Sequence, residues 1–376
     1  MGSAHAHCIF SGKVDGMELC ALCDTDEHKR ELLKEEFPAL PVFSEADELI
    51  KSGLCDCVIV ATPHKYHPEI VCKALKAGLN ALTEKPAAVS VRDAFKMADA
   101  AKKSGKVFAI MFNQRTNPVF RKAREIVKSG ALGEPKRLVW IVTNWYRTQS
   151  YYQSGGWRAT WSGEGGGVLL NQAPHNLDLW QWIFGMPKRI RAFCSVAKYH
   201  HIEVEDDATI YAEYENGATA TFITSTGECP GTNRLEISGD LGKLVIEDGH
   251  LKWWKLSEPE RQFCFTQEQG FYKPPVDFSD LVPDEEETAH RGVLQAFSDA
   301  ILNGTPLVAD GAEGTNELMI SNAAYLSSWT DSWVTLPLDS DDFERELAKR
   351  AAKSAFHEQK SEKMSKEYNE RWSVRW

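Results

Sequence analysis

No run of apolar residues in this 376-residue chain approaches the ~20 needed to cross a bilayer, so no membrane span is expected. The opening residues, MGSAHAHCIFSG, lack both a basic segment and the ~7–15 apolar residues of a secretory signal. Basic excess is missing as well: 43 lysines and arginines face 54 aspartates and glutamates, a formal net charge of −11. That sign disfavours phosphate backbones and excludes nucleic acid as an expected partner. The nine cysteines are an odd number, and reduced thiols in the cytoplasm are the simplest reading. The C-x-x-C at Cys20 and Cys23 lies in MELCALCD, which reads as a strand. Residues three apart on a strand point to opposite faces, so buried apolar cysteine is expected there rather than zinc. The pairs His5 and His7, His64 and His67, and His200 and His201 have no carboxylate or thiolate at ligand spacing, and no metal is expected. Internal repeats and low-complexity tracts are absent.

What is present is enough apolar material for a sizeable core, at 43% hydrophobic residues. At ~100–200 residues per domain the length suggests two domains. Residues 1–117 alternate strands and helices with short glycine-marked joints, the pattern of an α/β, doubly wound parallel sheet. The strand VIVA is apolar throughout, as a strand covered on both faces should be. Residues 118–335 change texture: long alternating segments with turn signals at 216–217 and 248–249 predict an α+β unit, an open, mostly antiparallel sheet with helices on one face. One helix is expected over Leu169–Phe184 and two more near 286–303 and 315–328. Residues 336–376 form a charged, helix-prone tail ending in RWSVRW, with Trp372 and Trp376 as candidates for docking on a neighbouring subunit.

A dinucleotide-binding sheet begins with a strand, a glycine-rich turn and a helix whose N-terminus holds a pyrophosphate, and an acid about 20 residues on binds the ribose. Here the first element is a helix and the next strand ends at Asp24. Gly2 to Asp24 fits that spacing if Gly2 is the last glycine of the fingerprint; a terminal glycine without that role is the plain alternative. On the first reading the opening strand is absent from the chain. At ~1.5–3 kcal/mol per buried apolar side chain, that would remove much of a domain's ~5–15 kcal/mol margin, and weak dinucleotide binding is expected.

Two clusters carry chemistry. TPHKYH (62–67) and TEKP (83–86) follow apolar strands, where open α/β sheets bind ligands. A lysine there is either a surface charge or, beside a cationic ring, a proton relay of lowered pKa. In GEGGGVLLNQAPHNLDLWQW, three glycines permit close backbone approach; on one helix Asn171, His175 and Asp178 would share a face, a candidate acid/base set.

Together VIVATPHKYHPE, the EKP at 84–86, NQR followed by NP (113–118), GWR (156–158) and GGG…N-x-x-x-H-x-x-D (165–178) resemble the Gfo/Idh/MocA family of NAD(P)-dependent oxidoreductases, over roughly residues 1–330. The resemblance implies a Rossmann-like first domain binding NAD(P) and a second domain whose open sheet often makes a homo-oligomer interface, in a dimer, tetramer or hexamer. It implies Lys85 and His175 as catalytic residues. Gly2, Asp24, Thr62, Pro63, His64, His67, Glu84, Lys85, Asn113, Trp157 and Arg158 are expected at the cofactor. Asn171, Asp178, Tyr146 and Arg115 are expected at the substrate, with Tyr151 and Trp161 as further aromatic candidates. Many members carry aspartate where this chain has Asn171; an amide cannot be a general base, which shifts that work to His175 and Lys85.

Asp24, with no basic residue immediately after it, favours NAD over NADP. The implied reaction is hydride transfer between a secondary hydroxyl of a sugar, a glycoside (C3 of glucosides among them) or a cyclitol and nicotinamide. Alternatives are a glycosidase that retains its NAD and acts by transient oxidation, and a non-catalytic NAD-binding sensor.

Overall fold

In the computed structural model, residues 1–282 and 284–355 are described, so Trp372 and Trp376 lie outside the described residues. The chain opens with α1 (Gly2–Phe10), then β1 (Leu22–Cys23), α2 (Glu27–Glu36), β2 (Val42–Phe43) and α3 (Ala46–Lys51). There follow β3 (Cys57–Val60), α4 (His67–Lys76), β4 (Asn80–Thr83), α5 (Val91–Ser104) and β5 (Phe108–Ile110). All pairings among these strands are parallel. The sheet is in two pieces, β1–β2 and β3–β4–β5, with no strand pairing between them among the described residues. MELCALCD therefore contributes only Leu22–Cys23 as strand, because β2 offers it just two partners. Cys20 lies before the strand and meets Cys55, at 3.0 Å between sulfurs.

β4 shows how the layers form. All four of its residues are buried. Ala81 packs with Val71, Leu75 and Met97 of α4 and α5, while Leu82 packs on the other side with Ile9 of α1. That second side is completed from far along the chain by Val293, Leu294 and Phe297 of α11 (Ala289–Asn303).

The intervening elements are α6 (Pro118–Lys128), β6 (Pro135–Val142), α7 (Gln149–Tyr152), α8 (Val168–Asn171), α9 (Pro174–Phe184), β7 (Arg189–Val196), β8 (Glu205–Glu213) and β9 (Thr219–Ser225). β10 (Asn233–Gly239), β11 (Gly242–Glu247), β12 (His250–Leu256), α10 (Glu260–Thr266) and β13 (Val276–Leu281) come before α11. After it lie α12 (Gly314–Thr330), β14 (Val334–Thr335) and α13 (Ser340–Ala351). Nine strands form one open sheet in the order β13-β12-β11-β10-β6-β9-β8-β7-β14, antiparallel except for β6 beside β9. Alternation sets its faces: Leu138, Trp140 and Val142 of β6 are buried under the helices, Phe120 of α6 meeting Trp140, while α12 packs along β7. The hairpin strand β13 was not marked in the sequence, and nearly all its residues are exposed.

Two expectations need correction. The helix expected over 169–184 is broken into α8 and α9, because Pro174 has no N–H to continue the ladder and disfavours helical backbone in the residue before it. Asn171 and His175 therefore do not share one helical face. Residues 336–355 also pack on the body: Phe343 is fully buried, and Arg92 pairs with Glu344 at 2.7 Å and with Asp341.

Candidate functional site

A cleft of ≈ 3870 Å³ runs from β1 and β3, past the N-terminus of α1, to the start of α9. Gly2, Asp24, Thr62, Pro63, His64, Glu84, Lys85 and Asn113 line it, as do Tyr146, Trp157, Arg158, Asn171 and His175. Of the residues singled out in the sequence, His67, Arg115, Asp178 and Trp161 do not.

At the α1 end, the helix has no side-chain cap, so its first N–H groups are open to an anion. Across the cleft Asp24 accepts from the Asp26 N–H at 2.9 Å, with Lys29 at 3.8 Å from its other oxygen. The loop after β3 carries His64, whose Nδ1 is buried without a partner among the described residues, and Asn113 Oδ1 is in the same condition. His67 is fully buried and its ring joins the two ligand loops, Nδ1 to Pro86 O at 3.0 Å and Nε2 to Thr62 O at 2.7 Å. Glu84 is held by His5 Nε2 at 2.7 Å, a contact the sequence did not indicate. Burial would raise the Glu84 pKa, but the His5 hydrogen bond together with the neighbouring charges of His5, His290 and Lys85 outweighs it, and the carboxyl stays below its ordinary value. The His290 ring, 5.8 Å from that of His5, is pulled down to about 4 by burial.

At the α9 end, Lys85 Nζ donates to Asn171 O at 2.8 Å. Burial lowers its pKa, Glu84 and Glu317 oppose that, and Arg158 adds to it. His175 is held well below the ordinary histidine value by burial, with the Lys85 charge adding, and its Nδ1 has no partner among the described residues. A neutral imidazole and a half-buried amine thus stand together at the cleft wall, one able to take a proton and the other to donate a hydrogen bond.

The glycine run beneath them is shaped by β8 and α12. A Cβ on Gly167 would sit 1.9 Å from Glu205 O, and one on Gly166 2.2 Å from the Tyr325 hydroxyl. The fully buried Glu205 carboxylate accepts from Gly167 N at 2.9 Å, Leu169 N at 2.9 Å and Tyr325 Oη at 2.7 Å. Burial pushes its pKa up to about 7. Arg115 and Asp178, expected at the substrate, face each other instead. Arg115 Nε and Nη2 meet the two Asp178 oxygens at 2.8 and 2.6 Å, Nη1 meets Glu313 at 2.6 Å, and both paired side chains are 1% exposed. Trp161 packs edge-on against Tyr325 and Trp329. Glu164, Gln172, Glu205 and His5 were missed because their roles depend on partners 5 to 120 residues away.

Residues 1–112 match the model of the oxidoreductase family with NAD-binding Rossmann fold, and residues 120–245 match the GFO/IDH/MocA C-terminal domain. D-glucoside 3-dehydrogenase of Escherichia coli is 31% identical over 88% of this chain and 93% of its own length. The chain belongs to the Gfo/Idh/MocA family. Myo-inositol 2-dehydrogenase of Thermotoga maritima is 24% identical over 86% of the chain and 92% of its length. Among solved structures, the WlbA dehydrogenase of Bordetella pertussis, in complex with NADH and UDP-GlcNAcA, matches with a TM-score of 0.76 at 23% identity, covering 90% of this chain and 96% of that one. The fold and the NAD-binding domain are therefore those of this oxidoreductase family, and relatives of this chain include dehydrogenases named for a glucoside, inositols and apiose. No helix among the described residues is long and apolar enough to cross a membrane.

Proposed function

We propose that this Gfo/Idh/MocA chain is an NAD-dependent dehydrogenase of a secondary hydroxyl on a sugar, a glycoside (a glucoside at C3 among them) or a cyclitol. The observation that carries the reading is the convergence of neutral His175 and half-buried Lys85 at the wall of the cleft. The residues fit the cofactor: the uncapped start of α1 suits a pyrophosphate, Asp24 a ribose diol, and the orphaned His64 Nδ1 and Asn113 Oδ1 await polar partners. NAD, when bound, supplies the two-electron acceptor. The chain's own part is to move one proton and fix one carbon. Lys85 Nζ, held by Asn171 O, donates a hydrogen bond to the reacting hydroxyl oxygen; His175 takes the hydroxyl proton. Tyr146 and Tyr151 offer aromatic faces to the apolar side of a sugar ring. Arg115 and Asp178 act at a distance, locking α9 in place. Self-association through the exposed face of the nine-stranded sheet, where Phe193 and Tyr211 stand, belongs to the same reading.

The test is NADH formation from NAD with methyl β-D-glucopyranoside and myo-inositol. Oxidation of either, lost in His175→Gln and Lys85→Met while NADH binding persists, supports the reading. Release of the aglycone from an aryl glucoside with no net NADH would replace it with transient oxidation. NADH binding without turnover of any polyol, and with function in cells intact in both variants, would favour a sensor.

A further inference from the structure

We propose that Glu164 and Gln172 are positioning and specificity-determining residues, which turn two adjacent amides into a pair of acceptors for neighbouring hydroxyls of the substrate. The inference rests on the polyol reading above and adds which substrate groups are recognised.

Glu164 is 2% exposed and does not line the cleft. Its Oε2 accepts from the Ala159 N–H at 2.6 Å, and its Oε1 accepts from Asn171 Nδ2. A carboxylate has no hydrogen to give, so Asn171 must turn its NH2 toward Glu164 and its carbonyl oxygen away. That oxygen receives the single hydrogen of the Tyr151 hydroxyl at 3.4 Å and keeps a second lone pair. The Tyr151 oxygen in turn accepts from Arg158 Nη1 at 3.0 Å and from Gln172 Nε2 at 3.3 Å. The NH2 end of Gln172 is therefore engaged too, and its Oε1 is buried with no partner among the described residues.

The two residues are consecutive, and both line the cleft next to Lys85 and His175. Each amide is fixed at its nitrogen end by a different neighbour, and each is left with acceptor capacity. A buried carbonyl oxygen without a donor is costly, and a ligand hydroxyl removes that cost. A ring carrying two adjacent hydroxyls supplies two such donors. A deoxy or O-methyl analogue leaves one amide oxygen unpaired, which is the way a polar site rejects a ligand lacking a hydroxyl.

The experiment titrates methyl β-D-glucopyranoside, and each of its monodeoxy forms, into the NADH-saturated protein by calorimetry. Gln172→Met and Glu164→Gln are each expected to weaken the parent sugar by about tenfold or more with NADH affinity unchanged. The deoxy analogue that binds the natural chain poorly should lose little further in Gln172→Met. Asn171→Asp sets two carboxylates against each other and should abolish binding. Glu164→Gln combined with Asn171→Asp restores the pair with donor and acceptor exchanged, and should recover most of it. If the parent sugar binds, but Gln172→Met and Glu164→Gln bind it as tightly as the natural chain with the same deoxy penalties, the inference is wrong and the dehydrogenase reading stands. If Glu164→Gln does not fold, Gln172→Met decides alone. If neither this sugar nor myo-inositol binds or is oxidised, the polyol reading falls and takes the inference with it.

Discussion

At the scale of single residues, the cleft is governed by burial acting on ionisable groups. His175 is neutral because its surroundings penalise the imidazolium, and a base must be neutral to accept a proton. Alcohol oxidation should therefore hold level through neutral pH, and its acid limb should fall below the ordinary histidine value of ~6.5. His175→Gln should lower kcat by about 10²–10⁴-fold and remove that limb, with NADH affinity unchanged. A limb centred above pH 7 that survives the substitution would assign the base elsewhere. Glu205 gives a second test, on stability. Its folded pKa of about 7 exceeds the ordinary value of 4.5, so the folded state binds more protons between those values. The contribution is fully present below about pH 4.5 and is lost as pH rises through 7, amounting to ~3 kcal/mol at most. Denaturant midpoints of the natural chain should carry this downward slope from pH 5 to 8, and Glu205→Gln should lack it. The groups facing Glu205 are Tyr325 of α12 and Cys194 of β7, both with pKa values raised well above ordinary, mainly by burial, so neither competes for protons in that range.

At the scale of elements, the break between α8 and α9 organises the site. It lets the Asn171 carbonyl turn to Lys85 instead of closing a helical bond four residues on, while His175 starts a new helix at another angle. Besides its buried Leu177, Trp180 and Ile183, α9 is held by Arg115, which joins Asp178 of α9 to Glu313 just before α12 and stacks near Phe112 and Trp182. Arg115→Met leaves the Asp178 carboxylate buried without a counter-charge, with the Gln181 amide at 3.0 Å still donating to it. We expect a loss of about 3–5 kcal/mol in unfolding free energy, measured by urea titration, and a smaller loss when Asp178→Leu is added. Equal losses in the single and double variants would show that the pair contributes by shape alone.

At the scale of the molecule, the cleft lies where the parallel sheet, α1 and the start of α9 meet, and α11 returns from late in the chain to cover the first sheet. Cofactor choice belongs to this scale, because Asp24 is presented by β1 across from the α1 N-terminus. The carboxylate repels a 2′-phosphate and accepts from a 2′-hydroxyl, so kcat/KM should favour NAD over NADP. Asp24→Ser should reduce that preference by about tenfold or more. An unchanged ratio would mean that other groups read the ribose. The sheet's outer face should also bring copies together: Phe193→Asp, a change at a 59% exposed position, should lower the assembly mass in light scattering if that face is the interface.

Much of this was readable along the chain because it depends on local pattern. Helices read over 91–104, 118–129 and about 286–303 from apolar spacing and glycine stops are found at 91–104, 118–128 and 289–303, and β6 to β12 follow from alternation, since one buried face imposes a period of two. The motif residues Lys85, Asn113 and His175 could be named from their order alone, and they do line one cleft. The pairing of Arg115 with Asp178 across 63 residues, of His5 with Glu84 across 79, and of Glu205 with the glycine run could not. A charged residue in a motif has the same letter whether it meets substrate or another buried charge. Desolvation makes that choice: once packing removes water, a charge must find its counterpart nearby, and only the folded arrangement says which group is near.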